Sequence, residues 1–137
     1  MWKYYALLSA LFAGMTAVLA KIGIKGVPSN VATAVRTLVV LFVASGIIIA
    51  TGEIRDIRSI GRRSLLFLVL SGIATGLSWI MYFKALELGP VSKVAPIDKL
   101  SVAVAIGLSV IFLNETVDWK TLVGAGLIIA GTIVLIR

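Results

Sequence analysis

Five ionisable side chains lie in or at the ends of runs that are otherwise apolar: Lys21, Arg36, Lys84, Asp98 and Lys99. Such groups cost several kcal/mol near a bilayer centre, so they turn toward a cavity, a partner or water. The chemistry they offer is electrostatic. A guanidinium or ammonium can hold a carboxylate or phosphate, and a carboxylate can tune a neighbouring cation or carry a proton. At 1.5 Å per helical residue, Arg36 stands about 9 Å inside its run, and Asp98 and Lys99 about 10 to 12 Å inside theirs. Lys21 and Lys84 fall within about one turn of an end.

Hydroxyls accompany these charges. Ser71, Thr75, Ser78 and Tyr82 recur at helical spacing and form one polar stripe, with Trp79 beside it. Asp98, Ser101 and Ser109 make a similar small polar face. Wet paths through membranes use such stripes, and so do interhelical hydrogen bonds and back-bonds to a helix's own carbonyls. The charged groups have alternatives too. Long Lys and Arg stems can carry their charge to the interface, and Asp98 can pair with Arg36 or Lys99 to order the helices.

The elements that position these residues follow from composition. Of 137 residues, 60% are apolar and 14% charged, and the mean hydropathy is +1.11. A water-facing surface needs nearer a quarter charged. Five runs are long enough to cross a hydrocarbon core of ~30 Å: residues 4–24, 30–51, 64–88, 91–113 and 119–136. The expected fold is all-α, an integral membrane bundle of five transmembrane helices in one domain over residues 1–137. The connectors are short, so successive helices run antiparallel. Gly26-Val27-Pro28 turns the first pair, with Ser29 or Asn30 expected as N-cap, and Leu88-Gly89-Pro90 turns another. Pro96 is expected to kink the fourth run and free carbonyls near Asp98. Lys3, the first apolar run and Val18-Leu19-Ala20 loosely fit a signal peptide, but the run is long and four more follow it, so it reads as a helix.

Helices one and three end on the side where two and four begin. The five charges therefore collect in one half of the membrane, as a mostly cationic vestibule. Small residues supply packing faces: Gly72 and Gly76 in helix three, and Gly124, Gly126 and Gly131 in helix five.

Several function classes fall away. The chain has no Cys and no His, which removes thiol nucleophiles, the usual zinc ligands and the commonest proton shuttle. No phosphate-binding glycine loop or nucleophile elbow is present, so neither an enzyme nor a bound cofactor is expected. The net charge of +7 is scattered between apolar runs, which argues for flanking of spans and against nucleic acid. Lys3, Arg55, Arg58, Arg62, Arg63 and Lys120 lie on one side of the membrane; Lys21, Lys25, Lys84, Lys93 and Arg137 lie on the other. The balance is near enough to allow insertion both ways round.

The stretch YFKALELGPVSKVAPIDKLSVAVAIGLSVIFLNE, Tyr82 to Glu115, resembles the EamA domain of the drug/metabolite transporter superfamily, and V-A-P-I-D-K-L-S resembles its short five-span branch. A-K-I-G at Ala20–Gly23 and T-A-V-R-T-L at Thr33–Leu38 fit the same branch. The closing G-L-I-I-A-G at Gly126–Gly131 is similar to the last helix of small multidrug resistance proteins, where it serves dimerisation. The resemblance implies a secondary transporter. It departs from those drug pumps in one respect: they rely on an acidic residue in the first helix, and here that helix has none. Cationic excess in the vestibule instead points to an anionic or zwitterionic metabolite. Inverted-repeat transporters and near-balanced flanking charge together point to an antiparallel homodimer. The expected location is a prokaryotic-type cell (inner) membrane. Two alternatives remain: a non-transporting membrane subunit, and a cation exporter using Asp98.

Overall fold

The computed structural model describes residues 1–136; Arg137, counted above among the flanking charges, lies outside the described residues. Six helices follow one another: α1 Trp2–Gly23, α2 Ser29–Thr51, α3 Arg62–Leu88, α4 Val91–Asp98, α5 Leu100–Leu113 and α6 Trp119–Ile136, with a 3₁₀ segment at Glu53–Ser59 between α2 and α3. Among the described residues there is no strand. Taking α4 and α5 as one span, five stretches are long and apolar enough to cross a membrane.

Burial explains why water is the wrong solvent for this chain. Among the described residues the buried apolar ones are Ala17, Ile24, Phe83 and Leu86, while large side chains such as Phe42 and Leu127 are 68% and 69% exposed. Every spanning helix presents leucine, isoleucine, valine or phenylalanine outward. In a soluble protein that surface would aggregate; in hydrocarbon it is the solvated surface. Internal helical hydrogen bonds satisfy the backbone, which lipid requires.

The chain divides into two compact units. One comprises Ala20–Glu87; the other comprises Met1–Leu19 with the chain from Leu88 onward. In the first unit, Gly26 adopts φ 74° in the turn that leads into α2, a conformation costly for any residue with a Cβ. Pro28, at φ −57° and ψ 136°, precedes α2 and gives it no side-chain cap. The expected N-cap at Ser29 or Asn30 is therefore not the arrangement adopted: Ser29 is already the first helical residue, and its hydroxyl and N–H turn to Glu87. At its far end α2 stops on Gly52, again left-handed at φ 77°, whose N–H returns to the Ile49 carbonyl.

In the second unit, α4 and α5 both pack on α6. The fourth span is interrupted. Pro96 lacks an N–H, and the helix breaks three residues later at Lys99, whose N–H bonds the Pro96 carbonyl at 3.0 Å in a tightened turn. The Pro96 carbonyl also receives the hydroxyl of Thr132 from α6 at 3.3 Å. The span is thus interrupted near the expected position, and the Pro96 carbonyl at the interruption is met by a neighbouring helix. Asp118 caps α6: its Oδ1 accepts the Thr121 N–H at 3.1 Å and the Thr121 hydroxyl. Both donors favour the ionised form and hold this carboxyl below its usual range.

Candidate functional site

Among the described residues, Arg36 is the basic group inside a span of the first unit that aromatic rings carry. Its Cζ lies 4.4 Å from the Trp79 ring centroid and 5.4 Å from that of Phe83. Trp79 and Phe83 are four residues apart, so α3 presents both to the same side. Phe83 is buried and Trp79 half-buried, and Tyr82 meets Phe83 edge-on with centroids 6.4 Å apart. The Tyr82 side chain is also within electrostatic reach of the guanidinium. Among the described residues, no carboxylate forms an ion pair with Arg36. A cation over a ring face is attracted by the ring quadrupole, and such contact leaves the in-plane N–H donors of a guanidinium available for a carboxylate or phosphate.

About 10 Å along α2 from Arg36, at Ser29, the ends of three helices meet. The Lys21 ammonium, from the end of α1, donates to the Leu86 carbonyl near the end of α3. Glu87 accepts from the Ser29 hydroxyl and N–H and pairs with Lys84 at 3.0 Å. A cation therefore sits on the negative end of α3 and an anion on the positive end of α2, each complementing a helix dipole. Lys21 and Lys84 do gather at one end of this unit, as their spacing implies. Lys21 there joins α1 to α3, whereas Lys84 makes an exposed pair within α3; both have polar partners, which distinguishes them from Arg36. Glu87, the residue that organises this end, carried no sequence signal beyond its pairing distance to Lys84.

The other expected residues are placed as follows. Ser71, Thr75 and Ser78 are exposed along α3, and the Thr75 hydroxyl bonds back to the Ser71 carbonyl at 2.9 Å. The back-bonding alternative is thus taken at Thr75, which leaves that hydroxyl with only acceptor capacity for a passing solute. Asp98 and Lys99 belong to the second unit, where they flank the helix break and pair with each other at 3.4 Å. A Cβ added at Gly72, Gly76, Gly124, Gly126 or Gly131 would meet open space. No chain segment approaches these glycines closely, so their faces are open.

One groove escaped the sequence reading. About 450 Å³ in volume, it lies between α2 and α3 and is lined by Thr33, Thr37, Leu38, Leu41, Gly76 and Ile80 among others. Thr33 and Thr37 turn their hydroxyls back to the carbonyls of Ser29 and Thr33, so the wall is apolar. Arg36 is not among the residues that line it.

Among the described residues the chain is helical throughout its ordered elements, with five stretches able to span a membrane, which defines a multi-pass membrane protein. It belongs to the EamA-like transporter family, whose model matches residues 1–137. It is 46% identical over 134 residues to an "Uncharacterized transporter in cobO 3'region" of a Sinorhizobium species, covering 98% of this chain and 95% of the relative. An uncharacterized protein of Methanocaldococcus jannaschii is 28% identical over 135 residues, covering 94% of this chain and 91% of that one. No solved structure gives a significant match.

Proposed function

We propose that this chain is a secondary transporter of a small anionic or zwitterionic metabolite and that Arg36 is the group that holds the substrate's acid. The carrying observation is the guanidinium inside α2, set against Trp79 and Phe83 with no carboxylate paired to it among the described residues. A structural cation in a span is neutralised by a partner. One that is stabilised only by ring faces retains its capacity for an anion, and a bound carboxylate relieves the cost of keeping charge in the membrane. Trp79 and Tyr82 shape the wall, and Ser71, Thr75 and Ser78 mark the path along α3. Lys21 and Lys84 order the helix ends at its mouth. Asp98 with Lys99 forms a neutral pair at the helix break, suited to coupling or positioning.

The open faces at Gly124, Gly126 and Gly131 on α6 support a homodimer, and the near-balanced flanking charge supports its being antiparallel in a prokaryotic-type cell membrane. Accessibility of tags at both termini checks this: two populations of opposite orientation are expected, and a single orientation for every copy rules the antiparallel dimer out. For the substrate class, purified protein is melted in the presence of mono- and dicarboxylates, amino acids, organic phosphates and organic cations. Preferential binding to the folded state raises the melting temperature. Acidic compounds are expected to raise it and cations to leave it unchanged; stabilisation by cations alone removes the proposal.

A further inference from the structure

The connector between α2 and α3 reads Glu-Ile-Arg, Asp-Ile-Arg, Ser-Ile-Gly, Arg-Arg, a repeat of three residues from Glu53 to Arg63. Its first seven residues form a 3₁₀ helix, Glu53–Ser59. That conformation has three residues per turn, so residues three apart eclipse one another, and runs beyond three or four residues are uncommon. Here the sequence period and the helical period coincide. Ile54 and Ile57 fall on one stripe, Arg55 and Arg58 on a second, and Glu53, Asp56 and Ser59 on a third. The Ser59 hydroxyl bonds the Asp56 carbonyl at 2.7 Å along the polar stripe. An α-helix would smear the same triplets around its circumference, because 3.6 residues per turn is out of step with three.

The isoleucines are not folded inward. Ile54 and Ile57 are 50% and 51% exposed, and Ile60, just past the helix, is 39% exposed. A shallow recess lies between the two stripes, lined by Ile54, Arg55, Ile57 and Arg58. Since α2 and α3 both span the membrane, a connector this short lies at the bilayer edge. Four arginines against two acids give it a cationic balance, and a basic juxtamembrane segment is drawn to anionic headgroups at whichever membrane face a copy presents it.

From these observations we infer that residues 53–63 are a lipid-docking surface, with Ile54, Ile57 and Ile60 inserted among the acyl chains and Arg55 and Arg58, supported by Arg62 and Arg63, on the phosphates of anionic phospholipids. The chemistry is that of an interfacial amphipathic segment, compressed into a seven-residue helix by the three-residue period. The acidic stripe faces water. This surface is independent of the substrate site at Arg36.

The chain lacks cysteine, so single cysteines at positions 53 through 60 can be nitroxide-labelled one at a time. The labelled full-length protein is placed in vesicles of phosphatidylcholine with rising phosphatidylglycerol. In phosphatidylglycerol vesicles, labels at 54, 57 and 60 are expected to be relaxed by lipid-soluble oxygen. Labels at 53, 56 and 59 are expected to be relaxed by an aqueous nickel chelate. With Arg55→Gln and Arg58→Gln together, the phosphatidylglycerol fraction needed for half-maximal immersion should rise several-fold. The wild-type lipid titration stands by itself if that variant folds poorly. Uniform exposure to the aqueous reagent overturns the inference and leaves the face for a protein partner. Immersion that is identical in vesicles without phosphatidylglycerol overturns the anionic-lipid assignment.

Discussion

Arg36 in α2 and Lys99 between α4 and α5 are both cations within membrane spans, and they are accommodated in opposite ways. Lys99 has the Asp98 carboxylate 3.4 Å away at a helix break. Arg36 has two aromatic rings at 4.4 Å and 5.4 Å and no paired carboxylate among the described residues. A cation paired with an adjacent anion is spent on local neutrality. A cation on ring faces keeps its charge and its hydrogen-bonding edge for something else. On the proposed function the contrast separates a group poised for a ligand from one that is locally paired, although the sequence presents both as basic residues roughly 10 Å inside an apolar run.

The contrast can be broken most forcefully at Arg36 itself. Arg36→Gln removes both charge and fork geometry and is expected to weaken acid binding by roughly tenfold to a hundredfold, since hydrogen bonds to charged groups are worth about 1.5 to 3 kcal/mol. Arg36→Lys should recover only part of it, because an ammonium lacks the planar fork. Next in size is the ring platform. Trp79→Leu keeps apolar bulk and removes the quadrupole, and a loss of about threefold to thirtyfold in affinity is expected from a cation–π term of about 0.5 to 2 kcal/mol. Measured by titration calorimetry in detergent, an unchanged affinity would show that the ring merely fills space.

Changes in the second unit should act on stability and leave acid binding untouched. Thr132→Val removes the hydroxyl shared between the Ile128 and Pro96 carbonyls at nearly constant volume. A loss of about 0.5 to 1.5 kcal/mol is expected, read as a lower melting temperature with the same acid affinity. The smallest expected effect is a pH dependence at Asp118. Its folded pKa is depressed by the two Thr121 donors, so the unfolded chain binds the proton more tightly. The stabilisation is therefore present above the ordinary carboxylate pKa, about 3.9, and is lost as pH falls through the lower folded value. Asp118→Asn keeps a capping side chain without titrating. The wild-type advantage in melting temperature over that variant should shrink below about pH 4.

How much of this was legible in the sequence depended on whether the signal was local. Five spans follow from apolar run length, and Arg36 stands out because a charge in lipid needs compensation, while Trp79 was legible only as the neighbour of the polar stripe on α3. Phe83 did not stand out, since a phenylalanine in a membrane helix is unremarkable until a guanidinium lies over it. Glu87 was hidden for a related reason: its role is to receive the N–H of Ser29, fifty-eight positions away in the chain, at a helix start that Pro28 leaves uncapped. Pro96 announced an irregularity in the fourth span, but the break itself comes at Lys99, whose N–H closes a three-residue turn on the Pro96 carbonyl. Residues 53–63 were read for their charge and not for their period, because a seven-residue 3₁₀ helix is rare enough that an interval of three suggests nothing by itself.

The central claim is that the aromatic-borne cation of α2 is the acid-binding group of a transporter. Its most direct test is exchange of a radiolabelled acid, chosen as the strongest stabiliser in the melting screen, across proteoliposomes containing wild type, Arg36→Gln, or Asp98→Asn with Lys99→Gln. The account predicts saturable exchange by wild type and none above background for Arg36→Gln. The doubly neutralised pair should still bind the acid in detergent with wild-type affinity, whatever its exchange rate. Wild-type exchange by Arg36→Gln, with acid binding lost in the Asp98/Lys99 variant, would move the site to the other unit and contradict the account.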